Sequence, residues 1–122
     1  MIYILVFLGG GLGSVARFGI GNFIQQTWPS QFPLATLTVN IVSSFILGLL
    51  ISWLIVKPTP HEHYRLLFAT GFCGGLSTFS TFTAEVFTLA KGGLFALAVL
   101  NIIVSVVACL VALWLGTLFF RN

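Results

Sequence analysis

Four long apolar stretches constrain this chain more than any other feature. They run from about Ile2 to Ile24, Leu34 to Val56, Tyr64 to Ala90 and Leu94 to Phe120. Each reaches the ~20 residues that a helix needs to cross a bilayer. Lipid supplies no water for backbone N–H and C=O groups, so a span must satisfy them within itself, as a helix does. The composition agrees: 58% of the residues are hydrophobic, 6% are charged, and the mean hydropathy is +1.12. Five Lys or Arg and two Glu cannot cover a soluble domain of 122 residues. The expected fold is an all-α integral membrane protein with four transmembrane helices, a single membrane domain over residues 1–122. The connections Gln25–Pro33, Lys57–His63 and Lys91–Gly93 are short, so consecutive helices are expected to be antiparallel neighbours.

The third stretch departs from the others. Thr70 to Glu85 is rich in glycine and hydroxyl side chains. The Gly74-Gly75 pair suits a helix interior poorly, because glycine loses the most backbone entropy there. Ser77 and Thr78 follow, and both residue types favour helix starts. A helix is therefore expected to stop near Gly74 and restart near Ser77 or Thr78. Broken backbone at membrane depth is tolerated only inside protein or beside a water-filled cavity, so the break marks an expected ion or substrate site. Beyond it, Phe79 and Phe82 share one face, and Thr78, Thr81 and Glu85 form a second stripe. Ser80 and Thr83 add a further hydroxyl pair. Glu85, the one carboxylate within the four stretches, could meet Lys91 at the far interface.

The other stretches carry sparse polar groups. Gly9, Gly13, Arg17 and Gly21 recur every four residues, a stripe that lets helices approach closely. Arg17 on that stripe is expected to face protein or water, either as a snorkelling side chain on a packing face or as part of a vestibule. The second stretch holds Thr36, Thr38, Asn40, Ser43 and Ser44. Asn40 stands out because its amide offers two donors and an acceptor in a dry place. It reads either as interhelical glue or as a ligand-facing group. Asn101, Ser105 and Cys109, again four apart, make one side of the fourth helix slightly polar, with Ser105 either a pore hydroxyl or packing glue. Cys73 and Cys109 read as small buried residues.

Several function classes fall away. Net charge is +3, but the basic residues are too few and scattered for a nucleic-acid face. Lys57, Arg65, Lys91 and Arg121 mostly read as interfacial anchors. His61-Glu62-His63 lacks the spacing of a helical zinc motif and reads as solvated loop. With no aspartate, two glutamates and no nucleophile–histidine arrangement, an enzyme is hard to build. A small four-helix, proton-coupled exporter of toxic compounds is the rival reading. Such exporters typically place an essential glutamate in the first span, where this chain has Arg17. The neutral donors Asn40, Ser80, Thr81, Thr83 and Ser105, with the positive ring edges of Phe79 and Phe82, favour an anion instead.

In these residues the chain resembles the Fluc (CrcB) family of small fluoride channels. The resemblance covers essentially the whole chain and rests on Gly10 to Phe18, Leu37-Thr38-Val39-Asn40, and above all Gly71 to Phe82 followed by Glu85. It implies an antiparallel, dual-topology homodimer with two fluoride pores in a prokaryotic plasma or inner membrane. It implies passive fluoride export past phenylalanines matching Phe79 and Phe82, an asparagine matching Asn40, and hydroxyls matching Ser80, Thr81 and Thr83. It also implies a structural sodium ion on the dimer axis, held by backbone carbonyls at positions matching Gly74 and Ser77. Two departures stand out: Ser77 replaces a common threonine, and Asn101 replaces a pore-lining tyrosine of some members. Charge balance fits dual topology, since Lys57, Arg65 and Arg121 on one side against Lys91 and Arg17 toward the other orient the chain only weakly.

Overall fold

The computed structural model describes residues 1–57 and 61–120, and the regular structure in them is all helical. Helix α1 is Ile2–Thr27 and α2 is Leu34–Val56. Then α3 (Glu62–Tyr64), a π-helix (Arg65–Cys73) and α4 (Gly74–Leu76) follow one another with helical backbone at each junction. After a break come α5 (Phe79–Lys91) and α6 (Phe95–Leu118). Helices α1, α2 and α6 are each long and apolar enough to cross a membrane. Pro58 to Pro60, within the second connection, and Arg121, read as an anchor, lie outside the described residues.

Backbone contact between glycines sets the packing. Helix α1 lies along the π-helix and α4. A Cβ on Gly9 would strike the Leu67 carbonyl, and one on Gly13 would strike the Phe72 carbonyl. From the other side, a Cβ on Gly75 would meet the Gly10 carbonyl. Apolar side chains gain little by hiding from lipid, so close van der Waals contact of this kind is what holds membrane helices together. The α2–α6 pair repeats the device at Gly48 and Gly116. Val39 on α2, Leu76 on α4 and Asn101 on α6 are the most deeply buried larger side chains. Outside this core, Phe7, Leu12 and Val15 on α1 and Ile103, Val107 and Leu110 on α6 stay exposed, an apolar surface that lipid or another apolar face would cover.

Two expectations need correcting. The helix does not stop at Gly74; it runs through the glycine pair to Leu76, and Gly75 serves the packing of that helix against Gly10 of α1. The break falls at Ser77 (φ −83°, ψ 158°) and Thr78 (φ −150°, ψ 122°), both extended. His61 is not simply solvated: its ring packs 5.3 Å from Trp53 and 5.7 Å from Tyr64, centroid to centroid. Helix α5 ends at Gly92 and Gly93, where Leu94 N–H bonds the Leu89 carbonyl (2.8 Å) and Gly93 N–H the Ala90 carbonyl (3.2 Å). This closing turn needs the positive φ of Gly93, 84°, which is open to glycine without strain.

Candidate functional site

The break is held open by side chains from three directions. Thr78 is the N-cap of α5, and its Oγ1 accepts from Thr81 N–H at 3.2 Å. Asn40, reaching from α2, grips the Thr78 backbone with both ends of its amide. Thr78 N–H donates to Asn40 Oδ1 (2.8 Å), and Asn40 Nδ2 donates to the Thr78 carbonyl (3.2 Å). The Cys73 carbonyl accepts from Ser77 N–H (3.0 Å), Ser77 Oγ (2.9 Å) and Ser43 Oγ (2.9 Å). Arg17, from α1, donates through Nε to the Gly75 carbonyl at 3.0 Å. Its guanidinium is thus tied to the break and does more than snorkel.

These bonds redirect the donors that a continuous helix would use. Thr78 N–H would serve the Gly74 carbonyl, and Thr81 N–H the Ser77 carbonyl. The first goes to Asn40 and the second to Thr78 Oγ1. The Gly74 and Ser77 carbonyls therefore lose their helical partners. Gly74 lies exposed, and a Cβ there would meet no atom of this chain within 4 Å. A groove of ≈ 170 Å³ borders it, lined by Ser43, Ser44, Cys73 and Ser77 among others.

Two clefts flank the break. The first, ≈ 280 Å³, is lined by Asn40, Ser77, Thr78, Phe79, Phe82 and Ser105, with Ser44, Val106 and Cys109 completing it. Its rings lie 5.6 Å apart between centroids, tilted at 45°, and Phe79 is 76% exposed. Asn40 spends one amide proton on Thr78, so the second remains for an occupant of this cleft. The second cleft, ≈ 290 Å³, is lined by Arg17, Asn22, Gln25, Thr36, Thr81 and Glu85, and it also touches Thr78. Thr78 thus lines both.

The structure brings Asn40, Phe79, Phe82 and Ser105 together at the first cleft, and Arg17, Thr81 and Glu85 at the second. Ser80 and Thr83 are exposed, and the Thr83 hydroxyl donates to the Ser80 carbonyl at 2.9 Å. Glu85 takes a different partner from the Lys91 envisaged: its Oε2 accepts from Thr36 Oγ1 at 2.9 Å, and its Oε1 is buried with no partner. Helix α2 supplies this contact because Thr36 faces α5 in the fold, whereas Lys91 lies beyond, its Nζ 5.9 Å from the Phe87 ring centroid. Thr36 and Ser43 had no assigned role in the sequence. The signal was there, since Thr36, Asn40 and Ser43 recur at i, i+4 and i+7 and so share a face.

The family described as "CrcB-like protein, Camphor Resistance (CrcB)" matches residues 4–117. The protein named fluoride-specific ion channel FluC in Coxiella burnetii (strain CbuK_Q154) is 39% identical over 123 residues, covering 100% of this chain and 99% of its own. Its namesake in Pyrococcus abyssi is 41% identical, covering 98% and 95%. That of Methanocaldococcus jannaschii is 43% identical, covering 93% and 89%.

Proposed function

The chain belongs to the CrcB family, and on that premise we propose that it is a fluoride-selective, multi-pass membrane channel through which fluoride leaves the cytoplasm passively. The observation that carries this reading is the cleft beside the break, where neutral donors and ring edges meet without a carboxylate in its lining. Fluoride is small and tightly hydrated, so a pathway must replace its water with donors yet let it go again. The free amide proton of Asn40 and the positive edges of Phe79 and Phe82 meet that need without a fixed positive charge. The start of α5 adds partial positive charge from N–H groups at the head of the helix. The second cleft sets Arg17 against Glu85, so its one positive charge marks a polar approach to the break and not a strongly basic one. Thr81 lies in its lining, and Ser80 and Thr83 sit one turn of α5 apart nearby.

Sodium would fit at the break. The Gly74 and Ser77 carbonyls have lost their helical donors, and neutral main-chain oxygens suit a hard, singly charged cation. One chain offers two such oxygens, so an antiparallel homodimer crossing at Gly74 would offer four. The exposed Gly74 and the apolar outer faces of α1 and α6 support such a dimer. The ion's part there is to fasten the two breaks together.

The deciding experiment is ion efflux from liposomes holding the purified protein, with fluoride and chloride compared. Rapid fluoride efflux with chloride retained is expected. Equal efflux of both would refute selectivity, and drug uptake driven by a pH gradient without fluoride flux would establish the exporter reading instead.

A further inference from the structure

Asn101 is 1% exposed, and its Nδ2 is buried without a partner. Its Oδ1 accepts the Ser105 hydroxyl proton at 2.9 Å. Ser105 lines the first cleft. A hydroxyl has one proton, so Ser105 turns only lone pairs toward that cleft in this arrangement. Lone pairs repel an anion, and a pathway hydroxyl held this way cannot bind fluoride.

The amide itself offers the remedy. Its oxygen and nitrogen are nearly equal in size, and a half-turn about Cβ–Cγ exchanges them in place. In the turned state Nδ2 donates to Ser105 Oγ, and the Ser105 proton is released toward the cleft. The exchange leaves a buried acceptor unpartnered in place of a buried donor, so each state keeps one hydrogen bond and one orphan, and the anion's own bond to the released proton decides between them. The two end states pack alike, because the side chain keeps its volume.

We propose that Asn101 is a positioning residue for anion passage, whose amide rotation redirects the Ser105 hydroxyl proton from Asn101 Oδ1 to the first cleft as fluoride enters. This rests on the fluoride-channel reading. A hydroxyl that donates only while the anion is present binds it with a short charge-assisted bond. When the anion moves on, the proton returns to Asn101, and the site does not trap its ion.

The test is the concentration dependence of fluoride efflux for wild type, Ser105→Ala, Asn101→Leu and the double variant in liposomes. Loss of one hydrogen bond to an anion is expected to raise the half-saturating fluoride concentration about tenfold in Ser105→Ala, and likewise in Asn101→Leu, where the Ser105 hydroxyl falls back on the helix carbonyl four residues earlier with no amide to turn it away. The double variant is expected to be no worse than Ser105→Ala, because Asn101 acts only through the Ser105 hydroxyl. Ser105→Thr, which keeps the hydroxyl, is expected to behave like wild type. Additive losses in the double variant, or an unshifted Ser105→Ala, would overturn the switch. In nitrogen-labelled wild type, fluoride is expected to shift the Asn101 side-chain amide resonance, and the shift should vanish in Ser105→Ala. An amide signal indifferent to fluoride overturns the proposal even where Asn101→Leu does not fold. Wild type that passes no fluoride would refute the channel reading itself, whereas a conducting wild type with additive variants would refute the switch alone.

Discussion

Replacing Asn40 by alanine separates a hydrogen bond that holds the break from one that merely decorates a helix. Interhelical hydrogen bonds in membranes average only about 0.6 kcal/mol, because the unfolded chain in lipid finds substitutes. Two ordinary bonds lost would then amount to about 1.2 kcal/mol. The Asn40 bonds are not both ordinary, since one serves the N–H of Thr78, the extended N-cap residue of α5, which has no helical partner, whereas the Thr78 C=O also accepts the first bond of α5. Each backbone group left unpaired in a buried place costs about 1–3 kcal/mol. Thr78 is only partly buried and the cleft admits some water, so the lower half of that range applies to its N–H, about 1–2 kcal/mol, and the ordinary second bond adds about 0.6 kcal/mol. Ser52→Ala is the internal control. Its hydroxyl donates to the Leu49 carbonyl (3.0 Å) and the Gly116 carbonyl (3.4 Å), both within helices, so its loss strands no backbone group. About 0.6 kcal/mol or less is expected there. Unfolding midpoints of the purified variants in one detergent provide the assay, with fluoride efflux measured in parallel. Asn40→Ala is expected to lose both stability and flux, and Ser52→Ala neither to any marked degree. Equal small shifts for the two would refute the idea that Asn40 sustains the break.

Phe79→Ile and Phe82→Ile keep apolar bulk but remove the ring edge, so liposome efflux of fluoride is expected to fall strongly while the protein stays folded; normal flux in both would reject edge contact with the anion. Gly13→Val drives a side chain into the Phe72 carbonyl and is expected to abolish folded protein on size-exclusion chromatography, whereas Gly11→Ala, with nothing within 4 Å of its Cβ, is expected to be neutral. Replacing sodium entirely by a large organic cation is expected to weaken both the dimer and fluoride flux; unchanged cross-linking and efflux would remove the ion from the account. On the same grounds Ser77→Ala is expected to be tolerated better than Gly74→Trp, since the Cys73 carbonyl keeps Ser43 Oγ and Ser77 N–H when the Ser77 hydroxyl goes.

Much of the architecture was legible in the residues alone. Lipid offers the backbone no partners, so long apolar stretches must become helices, and a stretch holding both Gly74-Gly75 and Ser77-Thr78 must be interrupted. The glycine spacing of the first stretch announced a helix contact, because only a side chain reduced to hydrogen admits a second backbone. What one-dimensional pattern cannot hold is the partner across space. The pair Gly74-Gly75 looked like the end of a helix, but Gly10 on α1 lies against Gly75 and makes glycine a packing requirement inside the helix. The break moved to Thr78 because Asn40, 38 residues earlier, takes over the Thr78 backbone bonds. Glu85 turned to Thr36 rather than Lys91, and the Ser105 proton turned to Asn101 rather than to the cleft. Each of these outcomes is a choice among hydrogen-bond partners of similar chemistry, and within a membrane that choice falls to whichever group the helix packing brings within about 3 Å.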